Sequence, residues 1–217
     1  MRTARKFFLL VFVFLLLSFS ALAHQPRIVK ANLTEIFNQE VSQAFYGNLN
    51  GAPAYFAVNS NSSFSMYFGI LVPDVKGIKK DVSAIVEKDG KQYLFLNASA
   101  SAWKPFFEDY AGDNYFWGPE ARANATADNY TITVFSPGNT GRYVLVVGEK
   151  ELFPPNEMLN ALFIIPQLKV NFFNKPFWAL FEGIIGKYIL YLLIFIVVVV
   201  LAIVFIARRL VKRRKKK

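Results

Sequence analysis

Two apolar runs of different length and with different flanks constrain this chain of 217 residues. The first, residues 7–17, follows three basic residues and precedes the small residues of Ala21-Leu22-Ala23. A basic start, a short apolar stretch and a small-x-small site are typical of a secretory signal peptide. We therefore predict a signal peptide over residues 1–23, cleaved so that His24 becomes the N-terminus. An uncleaved anchor helix is the alternative.

The second run, residues 188–207, contains 20 residues and no charge. A helix of that length, at about 1.5 Å per residue, spans roughly 30 Å, which is the thickness of a bilayer core. Eight of the ten residues that follow are basic, and basic residues mark the cytoplasmic end of a span. We predict a transmembrane helix over 188–207 and a basic cytoplasmic tail over 208–217. The lipid bilayer is then a partner, the plasma membrane is the location, and the N-terminus lies outside. A buried core helix is the alternative.

The net charge of +10 comes from the two ends of the chain. Three of the 25 basic residues precede Phe7 and eight follow Ala207, which leaves 14 against 15 acidic residues in residues 24–187. A nearly neutral external region gives no reason to expect a polyanion as ligand, so no nucleic-acid partner is predicted. The chain has no cysteine. The external domain must therefore be stable through its core alone, without disulfides.

The region between the two runs has the pattern of short strands broken by turns. Residues 54–58 and 129–135 alternate polar and apolar side chains, and residues 64–72 form a continuous apolar stretch. Asp89-Gly90 favours a tight hairpin, because these two residues tolerate the positive φ of that turn. We predict a mainly β fold, an antiparallel jelly-roll or immunoglobulin-like β-sandwich ectodomain over residues 24–153.

A change of pattern follows Phe153-Pro154-Pro155. Residues 156–168 have apolar side chains at helical spacing, interrupted by Pro166, and residues 171–187 are aromatic and amphipathic. Such a segment is suited to lie along a membrane surface. We predict a short helical collar over residues 154–187, leading into the one transmembrane helix. A simple connecting stalk is the alternative.

Two strand motifs carry a family resemblance. Residues 128–134 read Asp-Asn-Tyr-Thr-Ile-Thr-Val, and residues 141–147 read Gly-Arg-Tyr-Val-Leu-Val-Val. This pair resembles the last hairpin of the pre-peptidase C-terminal domain family, whose usual form is Gly-x-Tyr-x-Ile-x-Val, a turn, then Gly-x-Tyr-x-Leu-x-Val. Asp128-Asn129 replaces the turn glycine of the first motif. The resemblance covers residues 54–148 and implies a small, non-catalytic accessory module of exported proteins that aids binding or secretion.

Residues 103–122 have no counterpart in that family, and within 103–120 seven aromatic side chains alternate with four carboxylates. Aromatic side chains on a loop make rigid binding surfaces for sugar rings, while polar neighbours form hydrogen bonds. We predict a site for carbohydrate or another envelope protein, formed by Trp103, Tyr110, Asp113, Asn114, Tyr115, Trp117 and Glu120. One alternative is that the aromatics fold inward as a plug over one end of the sandwich. Another is that the carboxylates bind Ca²⁺, although their spacing fits no established loop.

Other chemistry has less support in the sequence. There is no cysteine and His24 is the single histidine, so we predict no catalytic residue, no cofactor and no metal site. His24 as N-terminus would offer copper two nitrogens, an incomplete site. Glu108 and Glu120 leave a glycoside hydrolase as an alternative, and an accessory subunit of a membrane complex is another. Five Asn-x-Ser/Thr tripeptides are glycosylation candidates: Asn32, Asn61, Asn97, Asn124 and Asn129.

Overall fold

The computed structural model describes residues 24–214, so the predicted signal peptide and the last three tail residues lie outside it. Within this range the chain forms two β-sheets packed face to face, which confirms the predicted sandwich. The strands are β1 (Gln25–Ile28), β2 (Leu33–Ile36), β3 (Gln43–Asn50), β4 (Ala54–Ser60), β5 (Phe64–Pro73), β6 (Ser83–Lys88), β7 (Lys91–Leu96), β8 (Lys104–Glu108), β9 (Asp113–Ala125), β10 (Asp128–Phe135) and β11 (Thr140–Val147).

One sheet has six strands in the order β1-β3-β11-β5-β9-β8, and the other has five in the order β2-β4-β10-β6-β7. Most neighbours are antiparallel, but β1 runs parallel to β3 and β2 runs parallel to β4. The reason is that the first five strands alternate between the sheets. A chain that crosses to the other sheet and returns enters the first sheet again in its original direction.

The two strands of the motif pair, β10 and β11, do not form the hairpin that the sequence pattern predicts. They lie in different sheets, joined by an arch at Ser136–Asn139, and β4 and β5 are joined in the same way. The alternating apolar side chains explain this arrangement, because those of both strands are buried in one core between the sheets. The residues concerned are Tyr130, Ile132 and Val134 of β10, and Tyr143, Leu145 and Val147 of β11.

The hairpin predicted at Asp89-Gly90 does form, between β6 and β7. Both turn residues have positive φ, 52° and 69°, which is the backbone conformation that a two-residue turn between twisted strands requires.

The middle of the six-stranded sheet is buried on both faces, whereas the outer face of the five-stranded sheet is open. Every residue of β5 except Ser65 is buried, while β4 alternates between buried and exposed positions. The second cover comes from the collar, residues 154–187. It consists of helix α1 (Pro155–Gln167), a π-helical turn (Leu168–Phe172) and a 3-10 helix (Phe177–Glu182). Pro166 lies in the last turn of α1 and does not end the helical path, which continues into the π turn.

Helix α2 (Ile184–Arg214) begins two residues after the 3-10 helix, within the last residues of the collar range, and is longer than the predicted span. Its segment Ile184–Arg209 is long and apolar enough to cross a membrane, and none of its most apolar window is buried against the described chain. A helix whose apolar side chains are exposed all round is suited to lipid rather than to water.

Candidate functional site at the junction of sandwich and C-terminal helix

The aromatic segment expected as a loop is mostly a β-hairpin. Strands β8 and β9 pair from Lys104 opposite Trp117 to Glu108 opposite Asp113, and they form one edge of the six-stranded sheet. Residues 109–112 connect them, and we call this connection the tip. The hairpin places the tip against the collar and the first turn of α2.

Glu108 shapes the tip from within. Its carboxylate accepts hydrogen bonds from the N–H groups of Tyr110 (2.9 Å) and Ala111 (2.8 Å). Burial raises the pKa of Glu108, although these two hydrogen bonds oppose the shift. Glu108 thus satisfies the N–H groups of Tyr110 and Ala111 within the tip itself.

Each of the four tip carbonyls accepts a hydrogen bond from the collar or from α2. Asp109 and Tyr110 accept from the N–H groups of Ile184 (2.9 Å) and Ile185 (3.1 Å). The ammonium group of Lys169 donates to Ala111 (2.7 Å) and Gly112 (3.1 Å). The first N–H groups of a helix have no partner inside the helix. Here the sandwich supplies partners for the first two of α2.

A buried ion pair lies at the centre of the junction. Lys169 is fully buried and Asp113 nearly so, and the Lys169 Nζ lies 2.8 Å from the Asp113 Oδ1. Lys175 also contacts this carboxylate (3.0 Å) and reaches Glu182 at 3.1 Å. Burial lowers the pKa of Lys169, whereas the hydrogen bond and charge of Asp113 oppose that change. A buried charge is tolerated only when it is paired and fully hydrogen-bonded, and Lys169 meets both conditions.

Two glycines allow the tip and α2 to approach this closely. A Cβ atom on Gly183 would lie 2.3 Å from the Ala111 carbonyl carbon, and one on Gly112 would lie 2.4 Å from the Gly183 nitrogen. Gly112 also has a positive φ of 76°, a conformation that glycine adopts without strain. A side chain at either position would force the two backbones apart.

Aromatic packing extends the junction across the outer face of the six-stranded sheet. Tyr115 and Tyr46 share a hydrogen bond between their hydroxyls (2.9 Å), and burial raises the pKa of both. Phe172 and Phe173 of the collar pack edge-on against these rings, with centroids 5.2 Å from Tyr46 and 5.3 Å from Tyr115 respectively. Arg142 of β11 donates to the Phe172 carbonyl (2.7 Å). The collar is thus fixed by polar and apolar contacts together.

The seven residues predicted as a binding site are divided among four places. Tyr110, Asp113 and Tyr115 are buried in the junction. Trp103 lies on the other side of the sheet, where it packs against the inner core and over Gly118. Asn114 is exposed on β9.

Trp117 and Glu120 are the members that remain together beside an open pocket of about 440 Å³. Lys104, Asn97 and Ser101 also line it. The Trp117 ring is half-buried and meets Phe106 edge-on at 5.1 Å. Partial burial favours protonation of Glu120, but hydrogen bonds from Tyr67 and Arg122 outweigh it and hold its pKa below the usual range. Glu120 is therefore an ionised acceptor at neutral pH.

His24 directly precedes β1. Its Nδ1 shares a hydrogen bond with the Ser42 hydroxyl and lies 4.0 Å from a Glu151 oxygen. Burial lowers the pKa of His24 to about 4. Across residues 24–214 there is no group of three or more His, Asp or Glu side chains that would hold a metal ion.

Comparison with known proteins adds structural likeness only. No protein-family model and no curated protein sequence matches this chain. Among solved structures, it is similar to the pre-peptidase C-terminal domain of a collagenase from Bacillus anthracis, the family that the strand motifs resemble. That match has 14% identity and a TM-score of 0.35, and it covers 55% of this chain and 96% of that one.

Two further solved structures are similar at the same level. One is CorA, a surface-associated copper-binding protein important in copper acquisition in Methylomicrobium album BG8, at 9% identity and TM-score 0.29, over 57% of this chain and all of that one. The other is a β-glucosidase from Paenibacillus barengoltzii, at 11% identity and TM-score 0.26, over 58% of this chain and 13% of that one. None of these likenesses assigns a ligand or an activity to this chain.

Proposed function

We propose that this chain is a membrane-anchored, non-catalytic module of the cell surface, whose β-sandwich is held at a fixed orientation on its anchor. The observation that carries the proposal is the set of four consecutive tip carbonyls that accept hydrogen bonds from the collar and α2. A flexible stalk would need no such contacts. A junction this specific is useful where a surface must be presented at a defined angle to the bilayer.

The positions of the acidic side chains support a non-catalytic role. The Asp113 carboxylate forms ion pairs with two lysines, and the Glu108 carboxylate accepts hydrogen bonds from N–H groups of the tip. Glu108 lies opposite Asp113 in the hairpin, and Glu120 lies seven residues further along β9. At about 3.3 Å per residue the two glutamates are roughly 20 Å apart, whereas a glycosidase needs its carboxyl groups within about 10 Å.

The proposed topology places the sandwich outside and the basic tail in the cytoplasm. The chain lacks cysteine, so single cysteines introduced as Ser62→Cys, in the exposed turn before β5, and Lys216→Cys, in the tail, report on the two sides. A membrane-impermeant maleimide should label Ser62→Cys on intact cells and Lys216→Cys only after permeabilisation. The reverse pattern would overturn the proposed orientation.

A second candidate function is glycan binding at the pocket beside Trp117. It is favoured because a half-buried indole, an ionised carboxylate and the Lys104 ammonium meet at this open surface. The full chain in detergent is applied to a glycan array, with Trp117→Ala as the test variant and Trp178→Ala, an exposed collar indole, as the matched control. Binding that only the first variant loses supports the idea, and no binding by the native chain would exclude it.

The third candidate is an accessory subunit of a membrane complex. It is favoured by the exposed apolar side chains of α2, which are free to pack against another membrane helix. Co-purification of a partner with the native chain, and its loss when the apolar segment is replaced by poly-Leu, would support this role.

A further inference from the structure

Helix α1 has two apolar faces, and only one of them is buried against the rest of the protein. The inward face includes Ala161 and Ile165, which are buried with Ile185 of α2. The outward face includes Leu159, Leu162 and Phe163, all exposed. A collar that met only water would be expected to carry polar side chains on its outward face.

The outward face of α1 points away from the sandwich. Glu157 fixes the orientation of the helix, because both its oxygens accept from the Arg27 guanidinium of β1, at 2.7 and 2.9 Å. At 3.6 residues per turn, Leu159, Leu162 and Phe163 lie between about 120° and 180° around the helix from Glu157. Leu159 and Leu162 are therefore on the side opposite to β1, and Phe163 lies at the edge of this face, where its exposed ring borders the groove between α1 and β1.

The 3-10 helix of the collar adds two further exposed aromatic side chains, Phe177 and Trp178. Trp178 is 71% exposed and Phe163 is 72% exposed, so neither ring is accommodated by the protein itself. Both elements lie beside the first turns of the apolar helix, since α1 packs on Ile185 and Ile189 and the 3-10 helix leads directly into α2. The apolar surface of the collar is thus continuous with that of the anchor.

We infer that the outward face of α1 and the 3-10 helix are embedded together in the outer lipid interface, so that the collar rests in the bilayer as a platform around the anchor. The inference extends the membrane-surface role predicted for residues 171–187 to α1, and it rests on the proposed membrane anchoring. Lipid is the occupant that fits, because the surface surrounds the point where an apolar helix enters the membrane. Tryptophan and phenylalanine are the side chains that favour the boundary between headgroups and acyl chains.

The charges of the collar indicate whether its binding to lipid depends on the charge of the headgroups. Residues 154–187 contain three lysines and two glutamates, and one of the lysines, Lys169, is buried in the junction. With so little net charge, attraction to anionic headgroups contributes little, and apolar insertion provides the binding. Neutral phosphatidylcholine should therefore be sufficient.

The test uses the full chain in phosphatidylcholine vesicles with one nitroxide label per variant. The labels are placed by Leu159→Cys and Phe163→Cys on α1, and by Phe95→Cys as the control. Phe95 is an exposed phenylalanine on the outer face of the five-stranded sheet, away from the collar. A fourth label, Val198→Cys, lies in the apolar part of α2. Collision of each label with oxygen, which concentrates in lipid, is compared with collision with a water-soluble nickel chelate.

We expect the oxygen-to-nickel collision ratio at positions 159 and 163 to be several-fold higher than at position 95. If positions 159 and 163 match position 95 while position 198 is lipid-exposed, the platform is wrong but the anchor stands. If position 198 is also exposed to water, the proposed anchoring itself is wrong. Leu159 and Phe163 are both exposed, so their replacement leaves the fold intact, and circular dichroism of each labelled chain verifies this.

Discussion

At the scale of single residues, the junction depends most on Lys169, a lysine without exposed surface. It is not among the predicted site residues, although a signal is present: it is a lone charge in the apolar and aromatic stretch that surrounds the end of α1. A lysine at such a position needs a buried partner. What the sequence does not contain is the identity of that partner, because Asp113 is more than fifty residues away and reaches Lys169 only after the hairpin has formed.

The two lysines that contact Asp113 should differ in their effect on stability. Lys169→Met leaves buried carbonyls and part of a buried carboxylate unsatisfied, which we expect to cost about 3 kcal/mol of unfolding free energy. Lys175 is a quarter exposed, so Lys175→Met should cost about 1 kcal/mol or less. Denaturant unfolding in detergent, followed by tryptophan fluorescence, measures both. Equal losses would contradict the central position of Lys169.

His24 should make stability depend on pH in the acid range. Its folded pKa of about 4 lies below its unfolded value of 6.5, so the unfolded chain takes up the proton first as the pH falls. The stability contributed by His24 is therefore complete above pH 6.5 and is lost as the pH falls to about 4, with an expected size of about 2 kcal/mol. Unfolding titrations of the native chain and of His24→Gln measure it. A difference between them that stays constant from pH 7 to pH 4 would refute it.

At the scale of elements, the sequence predicted strands more reliably than their partners. Alternation identified β4 and β10, and Asp89-Gly90 identified the β6–β7 turn, because these are local signals. The hairpin β8–β9 was expected as a loop, because the aromatic residues of β9 leave no polar face that would mark a strand. Phe116 packs on the inner core, whereas Tyr115 and Trp117 pack on the outer face of the sheet. The sequence pattern of β10 and β11 favoured a hairpin, because it shows two alternating strands separated by a turn. It does not show whether the two strands pair in one sheet or face each other across the core, as they do here.

The apolar run of β5 also indicates that this strand is covered on both faces, which was not part of the prediction. A strand with apolar side chains on both sides is buried on both faces, and the collar supplies the second cover. We expect Phe172→Ala, which removes part of that cover from Tyr46, to cost about 3 kcal/mol of unfolding free energy. Phe95→Ala, on the open face of the other sheet, should cost less than about 1 kcal/mol. Equal costs in the same unfolding assay would show that the collar does not protect the sheet.

At the scale of the whole molecule, hydrogen bonds and apolar contacts attach the sandwich to the collar and to the first turn of α2. The predicted binding loop is mainly the means of that attachment, since Tyr110, Asp113 and Tyr115 are buried in it. The part of the predicted site that stays at the surface, Trp117 with Glu120, could not be separated from the rest by sequence, because burial depends on the fold of the collar.

The rate of hydrogen exchange at the amides of Ile184 and Ile185, the first two of α2, measures whether the sandwich is firmly attached to this helix. In the full chain in lipid nanodiscs, both amides should exchange as slowly as those of the sandwich core, because they donate to the tip. Gly183→Ala, whose methyl group meets the tip backbone, should abolish this protection, while the exposed collar variant Asn171→Ala should retain it. Rapid exchange of both amides in the native chain, or slow exchange that Gly183→Ala leaves unchanged, would mean that sandwich and anchor are joined only by a flexible connection.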